Sequence, residues 1–131
     1  MKQFGLSKKE RIKAKKDFAI VYSSGKTITS CSQKLKAIFF VQPTSESGIK
    51  AAFVVYKKAG SAVWRNRIKR LLRESYRLNK NILSDIVQKN ESSLLLVLAA
   101  KSINQKTNKK INLNDILPDV VDLLEQIKRR L

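Results

Sequence analysis

Three features of this 131-residue sequence predict an α+β domain. Two stretches rich in β-branched and aromatic residues, LKAIFFVQ (35–42) and KAAFVVYK (50–57), flank a turn-like PTSESG. A third apolar run, SLLLVLAA (93–100), is short and bounded by polar residues, the pattern of a buried central strand. Around these runs, apolar residues recur at helical spacing. The predicted order is α-β-β-α-β-α: one small domain over 1–131, with a central, mostly antiparallel sheet packed by helices. That length suits a single hydrophobic core.

Residues 1–13 form a basic arm, a candidate for flexibility, in which Ser7 and Glu10 fit a capping box. Ala14, Phe18, Val21 and Tyr22 share one helical face, predicting a helix over 14–24 that Gly25 ends. The two strands at 35–42 and 50–57 are expected to pair as an antiparallel hairpin. Alternation places Leu35, Ala37, Phe39 and Val41 on one face and Lys36, Ile38 and Phe40 on the other. Both sets are largely apolar, so each face of the sheet needs a partner.

Gly60-Ser61 interrupts the second strand, and Ser61 is placed to cap a helix running to about Asn79. On a helical wheel Trp64, Ile68, Leu71, Leu72, Ser75 and Leu78 form its core face. Arg65, Asn66, Lys69, Arg70, Arg73 and Arg77 fall opposite, with Arg67 at one flank. Residues 101–112, KSINQKTNKKIN, read as a polar basic loop. A last helix is expected from Asp115, so that Pro118 sits in its first turn. Its acidic start, Asp119 and Asp122, and its basic end complement the helix dipole.

The charge balance is the unusual feature. Lys and Arg number 28 against 10 acidic residues, a net charge of +18. Such a field attracts polyanions, and nucleic acid is the polyanion a small basic domain meets most readily. Arg65, Lys69, Arg73 and Arg77 repeat at i, i+4, where like charges cost a few tenths of a kcal/mol per pair. Only Glu74 interrupts that face, whereas a merely solvated face mixes signs. The stripe is the pattern of a phosphate-binding surface.

Other classes fall away. The chain has no His, no Gly-rich phosphate loop and a single cysteine, Cys31, which reads as a small strand-edge residue. No catalytic residue and no metal ligand set is therefore assigned. No apolar run is long enough to span a bilayer, and the sequence reads as cytoplasmic, with no membrane partner.

KKAGSAVWRNRIKRLLRE resembles the signature of the bacterial ribonuclease P protein subunit. The matching positions are Lys57, Lys58, Gly60, Ala62, Val63, Arg65, Asn66, Arg67, Lys69 and Arg70. Upstream, RIKAKKDFAIVYSSG is similar to the first-helix motif of that family, with Asp17-Phe18, Val21-Tyr22 and Gly25. The two motifs occur in family order and the resemblance covers roughly residues 6–100. It implies a fold of the ribosomal S5 domain 2-like type with a left-handed βαβ crossover, against the usual right-handed rule.

The resemblance implies a non-catalytic subunit of a tRNA-processing endoribonuclease, binding one catalytic RNA in a 1:1 minimal complex. Removal of the 5′ leader of precursor tRNA would be carried out by the RNA and its Mg²⁺ ions. It further implies an RNA-subunit surface built from Arg65, Asn66, Arg67, Lys69, Arg70 and Arg73. A leader-binding cleft would comprise Phe18, Tyr22, Lys36, Ile38, Lys57 and Lys58. Aromatic rings at such a cleft stack bases without sequence preference, at about 1–3 kcal/mol per base. Tyr56 is bulkier than the small residue common in the family, and the 101–112 loop is longer; it is expected either to be disordered or to contact RNA with Lys106, Lys109 and Lys110. A ribosomal or other structured-RNA-binding protein accounts equally for charge and fold class, but not for the two ordered motifs.

Overall fold

The computed structural model describes residues 10–43 and 48–131. Its elements are α1 (Lys15–Ser24), β1 (Lys26–Thr29), β2 (Leu35–Pro43), β3 (Gly48–Val54), α2 (Ala62–Asn79), α3 (Asn81–Lys89), β4 (Ser92–Ala100) and α4 (Leu113–Arg130). The predicted α+β class holds, with two additions: the short strand β1 and the helix α3.

The sheet order is β1-β2-β4-β3. β4 pairs antiparallel with β2 from Leu35↔Ala100 to Pro43↔Ser92, and parallel with β3 from Gly48↔Ser93 to Val54↔Ala99. The expected β2–β3 hairpin is therefore not formed. The two strands do run in opposite directions, but β4 lies between them. The physical reason is burial: Leu94 through Ala100 are all buried, and only the central position satisfies a strand that is apolar on both faces. A turn-like composition between two strands reports a reversal of direction and not a pairing. Most of that turn, 44–47, lies outside the described residues, as does Ser7 of the expected N-terminal capping box.

α2 and α3 connect the parallel pair β3 and β4, so the strands flanking the basic helix share a sheet as expected. Both sheet faces are covered. On one, Leu35, Ala37, Phe39, Leu94, Leu96 and Leu98 meet Ile68 and Leu72 of α2, Leu83 and Val87 of α3, and Val120 and Leu124 of α4. On the other, Ile38, Leu95, Val97 and Ala52 meet Val21 of α1 and Ile12, with Phe18, Ile20, Phe40 and Val54 partly buried around them. Only Val41 departs from the expected alternation, being exposed near the end of β2.

Helix boundaries follow local chemistry. α1 ends as expected at Gly25, whose N–H bonds the Val21 carbonyl at 2.8 Å. A Cβ there would meet that same oxygen at 2.4 Å, so no larger residue fits. α2 opens as predicted, the Ser61 hydroxyl accepting from the Trp64 N–H at 3.2 Å. α4 opens two residues earlier than Asp115, because Asn112 and Asp115 form a capping box in which the Asp115 carboxylate accepts from the Asn112 N–H. Pro118 consequently lies in the second turn, past the position where its missing N–H is free of cost. With α4 opening at Leu113, Asp119 and Asp122 lie beyond its first turn, where Asp115 alone meets the dipole as an acidic residue, and they serve another purpose: the Cys31 N–H donates to Asp122 at 2.8 Å and the Ser32 hydroxyl donates to Asp119. These bonds fasten the β1–β2 turn onto α4. Cys31 is thus an exposed turn residue and not a strand-edge one.

Candidate nucleic-acid interface

α2 sorts its side chains as the wheel predicts, with Trp64, Ile68, Leu72 and Ser75 buried. Tyr76 is also buried, to 1 % exposure, and Leu78 is exposed instead. The expected arc was one residue too far round at its C-terminal end. On the opposite face Asn66, Lys69, Arg70 and Arg73 have no side-chain hydrogen bond or ion pair among the described residues. Arg77, the last member of the i, i+4 stripe, differs: its guanidinium pairs with Glu74. That contact raises the affinity of Arg77 for its proton and holds the Glu74 carboxyl below its ordinary value. The unpaired cationic face therefore ends at Arg73.

Arg65 and Arg67 are partly engaged by the protein itself. Arg65 Nε donates to the Gly60 carbonyl at 3.1 Å. Arg67 Nη2 donates to the Ile111 carbonyl at 2.8 Å. Both guanidiniums retain further N–H groups, since each carries five donors. Their orientation is set before any ligand arrives, which lowers the entropy lost on binding.

The 101–112 segment is an ordered loop that clasps the start of α2. Gln105 N–H donates to the Ala59 carbonyl and the Gln105 side-chain oxygen accepts from Ser61 N–H, each at 2.8 Å. Trp64 Nε1 donates to the Asn108 carbonyl at 3.2 Å. Ile103 and Ile111 are buried in the main core at either end of the loop. The loop's polarity is legible in the sequence and these two anchors are not, although isolated isoleucines in a polar run are the available signal. The motif glycine Gly60 is explained here. Its backbone is extended, which any residue adopts, but a Cβ would meet the Trp64 ring at 2.7 Å and Gln105 Cβ at 2.8 Å.

The second candidate surface lies on the other sheet face. Phe18 and Tyr22 stack one turn apart on α1, with ring centroids 6.5 Å apart and an interplanar angle of 16°. Phe18 is partly buried against the sheet, whereas Tyr22 is 53 % exposed. Ile38 lies on the face that α1 covers, but at 8 % exposure it belongs to the core more than to an open groove. Lys36, half-buried, is on the same face one row along, in register with Ala99 and Val54. Lys57 and Lys58 are exposed in a 3₁₀ turn following β3, three residues past Val54. Two strand spacings, about 10 Å, separate the β2 and β3 backbones across this row. Tyr56, exposed before that turn, adds a third aromatic residue.

α1 is fixed over the sheet at its N-terminal end. Ile12 N–H donates to the Ala51 carbonyl at 3.0 Å, and Asp17 lies 3.9 Å from the Lys50 ammonium. Two depressions, one beside Tyr76, Lys80 and Gln88 and another beside Phe40, Asn90 and Arg130, are lined by none of the candidate residues. Among the described residues no group of three or more His, Cys, Asp or Glu is placed to hold a metal, and no helix is long and apolar enough to cross a membrane.

The family model described as Ribonuclease P matches residues 6–127. The ribonuclease P protein component of Finegoldia magna is 34 % identical over 118 residues, covering 79 % of this chain and 100 % of that protein. That of Porphyromonas gingivalis is 34 % identical over 90 residues, covering 67 % of this chain and 64 % of its own length. Among solved structures, the RNase P protein from Thermotoga maritima superposes with a TM-score of 0.70 at 20 % identity, over 89 % of this chain and 96 % of that one. At that identity the superposition speaks for the fold.

Proposed function

The chain belongs to the ribonuclease P family, and from that premise we propose that it acts as the protein component of the holoenzyme that removes the 5′ leader from precursor tRNA. Asn66, Lys69, Arg70 and Arg73, with the oriented Arg65 and Arg67, dock on the folded RNA subunit. The observation that carries this reading is the α2 face from Arg65 to Arg73. It gathers five cations on a helix whose opposite side is held in the core through Trp64, Ile68, Leu72 and Tyr76. Lys69, Arg70 and Arg73, which have no protein partner among the described residues, and the spare N–H groups of Arg65 and Arg67 are fitted to neutralise phosphates and release their counterions. Asn66 both donates and accepts, so it can also reach base edges or 2′-hydroxyls.

The leader is held on the opposite side, between α1 and the sheet. Tyr22, exposed and stacked on Phe18, offers a ring face to one base, and Lys36, Lys57 and Lys58 supply charge along the same course. Ile38 serves as the floor on which α1 rests and not as a contact. Stacking is indifferent to base identity, which suits a protein handling many leaders. Chemistry belongs to the RNA subunit and its Mg²⁺ ions. The chain's own part is electrostatic and positional: it screens phosphate repulsion, so the two RNAs approach at lower Mg²⁺. One protein binds one RNA subunit in the minimal complex.

Reconstitution tests this reading. The purified chain is mixed with a bacterial ribonuclease P RNA and 5′-labelled precursor tRNA at low Mg²⁺, and leader release is followed. Cleavage that requires both components is expected. Binding to both RNAs with no gain in cleavage would refute the assignment and leave a structured-RNA-binding protein.

A further inference from the structure

We infer that the 101–112 loop is a second RNA-docking element, which extends the α2 face onto the phosphates of the folded RNA subunit through Lys106, Lys109 and Lys110. The inference rests on the RNA-docking reading of α2 and adds to it a surface outside the helix.

Three observations carry it. The first is charge. Residues 101–114 contain four lysines and no acidic residue. Lys106, Lys109 and Lys110 are exposed and have no side-chain partner among the described residues. The second is order. A surface loop that only confers solubility needs no fixed backbone, yet this one is held from outside and from within. Besides its bonds to Ala59, Ser61, Trp64 and Arg67, Asn108 N–H donates to the Asn104 carbonyl at 2.8 Å. Thr107 N–H donates to Asn104 Oδ1 at 3.0 Å, and Asn104 N–H to Asn108 Oδ1 at 3.3 Å. Lys106, Lys109 and Lys110 thus project from a backbone already in place, so docking orders only side chains.

The third observation is continuity with the helix. Lys101 and Ser102 bond Gln33 and Lys34, but from Gln105 to Ile111 the loop's outside partners are the first residues of α2 and the turn before it, and Arg67 joins helix and loop directly through the Ile111 carbonyl. Holding these cations beside Arg65 and Arg67 is repulsive in the free protein. A polyanion that covers helix and loop together relieves that repulsion. The three acidic residues that next follow the loop in sequence are committed elsewhere: Asp115 caps α4, while Asp119 and Asp122 fasten the β1–β2 turn. A folded RNA, with phosphates at close and fixed spacing, matches a rigid two-part cationic surface better than a flexible single strand does.

The test measures affinity for bacterial ribonuclease P RNA over a range of KCl concentrations. It compares the unaltered chain, Lys106→Gln/Lys109→Gln/Lys110→Gln, and Arg70→Gln/Arg73→Gln. Each lost phosphate contact lowers the slope of log K against log salt by about 0.7–0.9. The loop variant is expected to lose about 2–3 from that slope, with an unchanged thermal melt. A triple Lys→Arg variant should retain the full slope. If the loop variant keeps the full slope while the helix variant loses its share, the inference is overturned and the docking role of α2 stands. If neither variant alters the slope, the docking reading fails, and this inference with it.

Discussion

Gly60→Ala is the substitution on which the joined architecture of α2 and the 101–112 loop can be judged. The added methyl would lie 2.7 Å from the Trp64 ring and 2.8 Å from both Cβ and Oε1 of Gln105. Ordinary contact begins at about 3.5–4.0 Å, so these groups must retreat by about 0.7–1.3 Å. Trp64 is buried and its Nε1 is bonded to the loop; Gln105 Cβ is attached directly to the loop backbone. Neither can move without separating the loop from the helix. Overpacking of this kind costs about 1–3 kcal/mol. Loss of the Ser61 N–H bond to Gln105 adds about 1 kcal/mol. The stiffer unfolded chain returns about 0.4–1 kcal/mol. The net is a destabilisation of about 1–3.6 kcal/mol. Unfolding entropy of about 2.1 cal/mol/K per residue converts this to a Tm lowered by about 4–13 °C. Trp64 is the sole tryptophan, so its emission during a thermal melt reports both the stability and the local displacement. RNA affinity should fall in parallel, because the displaced residues lead into Arg65 and Arg67. A melt within about 1 °C of the unaltered protein, with unchanged emission, would refute the close-approach account of this glycine.

Two further perturbations separate stability from binding. Burial, with Glu10 as a lesser cause, pushes the Tyr76 phenol well above its ordinary value. The folded protein therefore keeps a proton that the unfolded chain releases above about pH 10. This contribution is complete below the unfolded pKa. It falls as pH rises past it, by up to about 1.4 kcal/mol per unit. In melts between about pH 9 and about pH 11, Tyr76→Phe should lose less stability than the unaltered chain; parallel curves would contradict the assignment. Phe18→Ala with Tyr22→Ala should reduce the preference for leader-bearing over mature tRNA by about tenfold, from about 1–3 kcal/mol per stacked base, while binding to the RNA subunit persists. Equal losses in both assays would abolish the division between the two surfaces.

The parts of this fold that were legible in the sequence are those where one local rule dominates. Ser61 caps α2, Gly25 ends α1, and the uniform apolarity of 94–98 marks β4 as central, because each signal is contained in a few neighbouring residues. Strand pairing is not local. Nothing in 35–57 distinguishes two strands that touch from two separated by a third; that decision is made by residues 94–100. β1 was invisible because KTIT contributes one buried side chain, Ile28, and four residues make no pattern. α3 was overlooked although Leu83 and Val87 lie four apart on one face. For the candidate surfaces, composition and motif located the cations, but not which of them the protein uses for itself. Arg67, an expected RNA contact, also positions the loop. Arg77 continues the stripe in sequence and is paired with Glu74. Ile38, expected in a groove, lies in the core.

The central place of β4 has a consequence for how the chain is made. A strand at the middle of a sheet but late in the chain leaves its neighbours waiting during synthesis. Until residues 92–100 emerge, β2 and β3 each present an unpaired edge toward a gap, and α2 has no complete surface to rest on. Exposed strand edges invite pairing with the wrong chain. Here the excess positive charge becomes protective, since two nascent copies repel each other during that interval. The same charge that draws this protein to RNA keeps it from its own kind while the strand that joins its sheet is still missing.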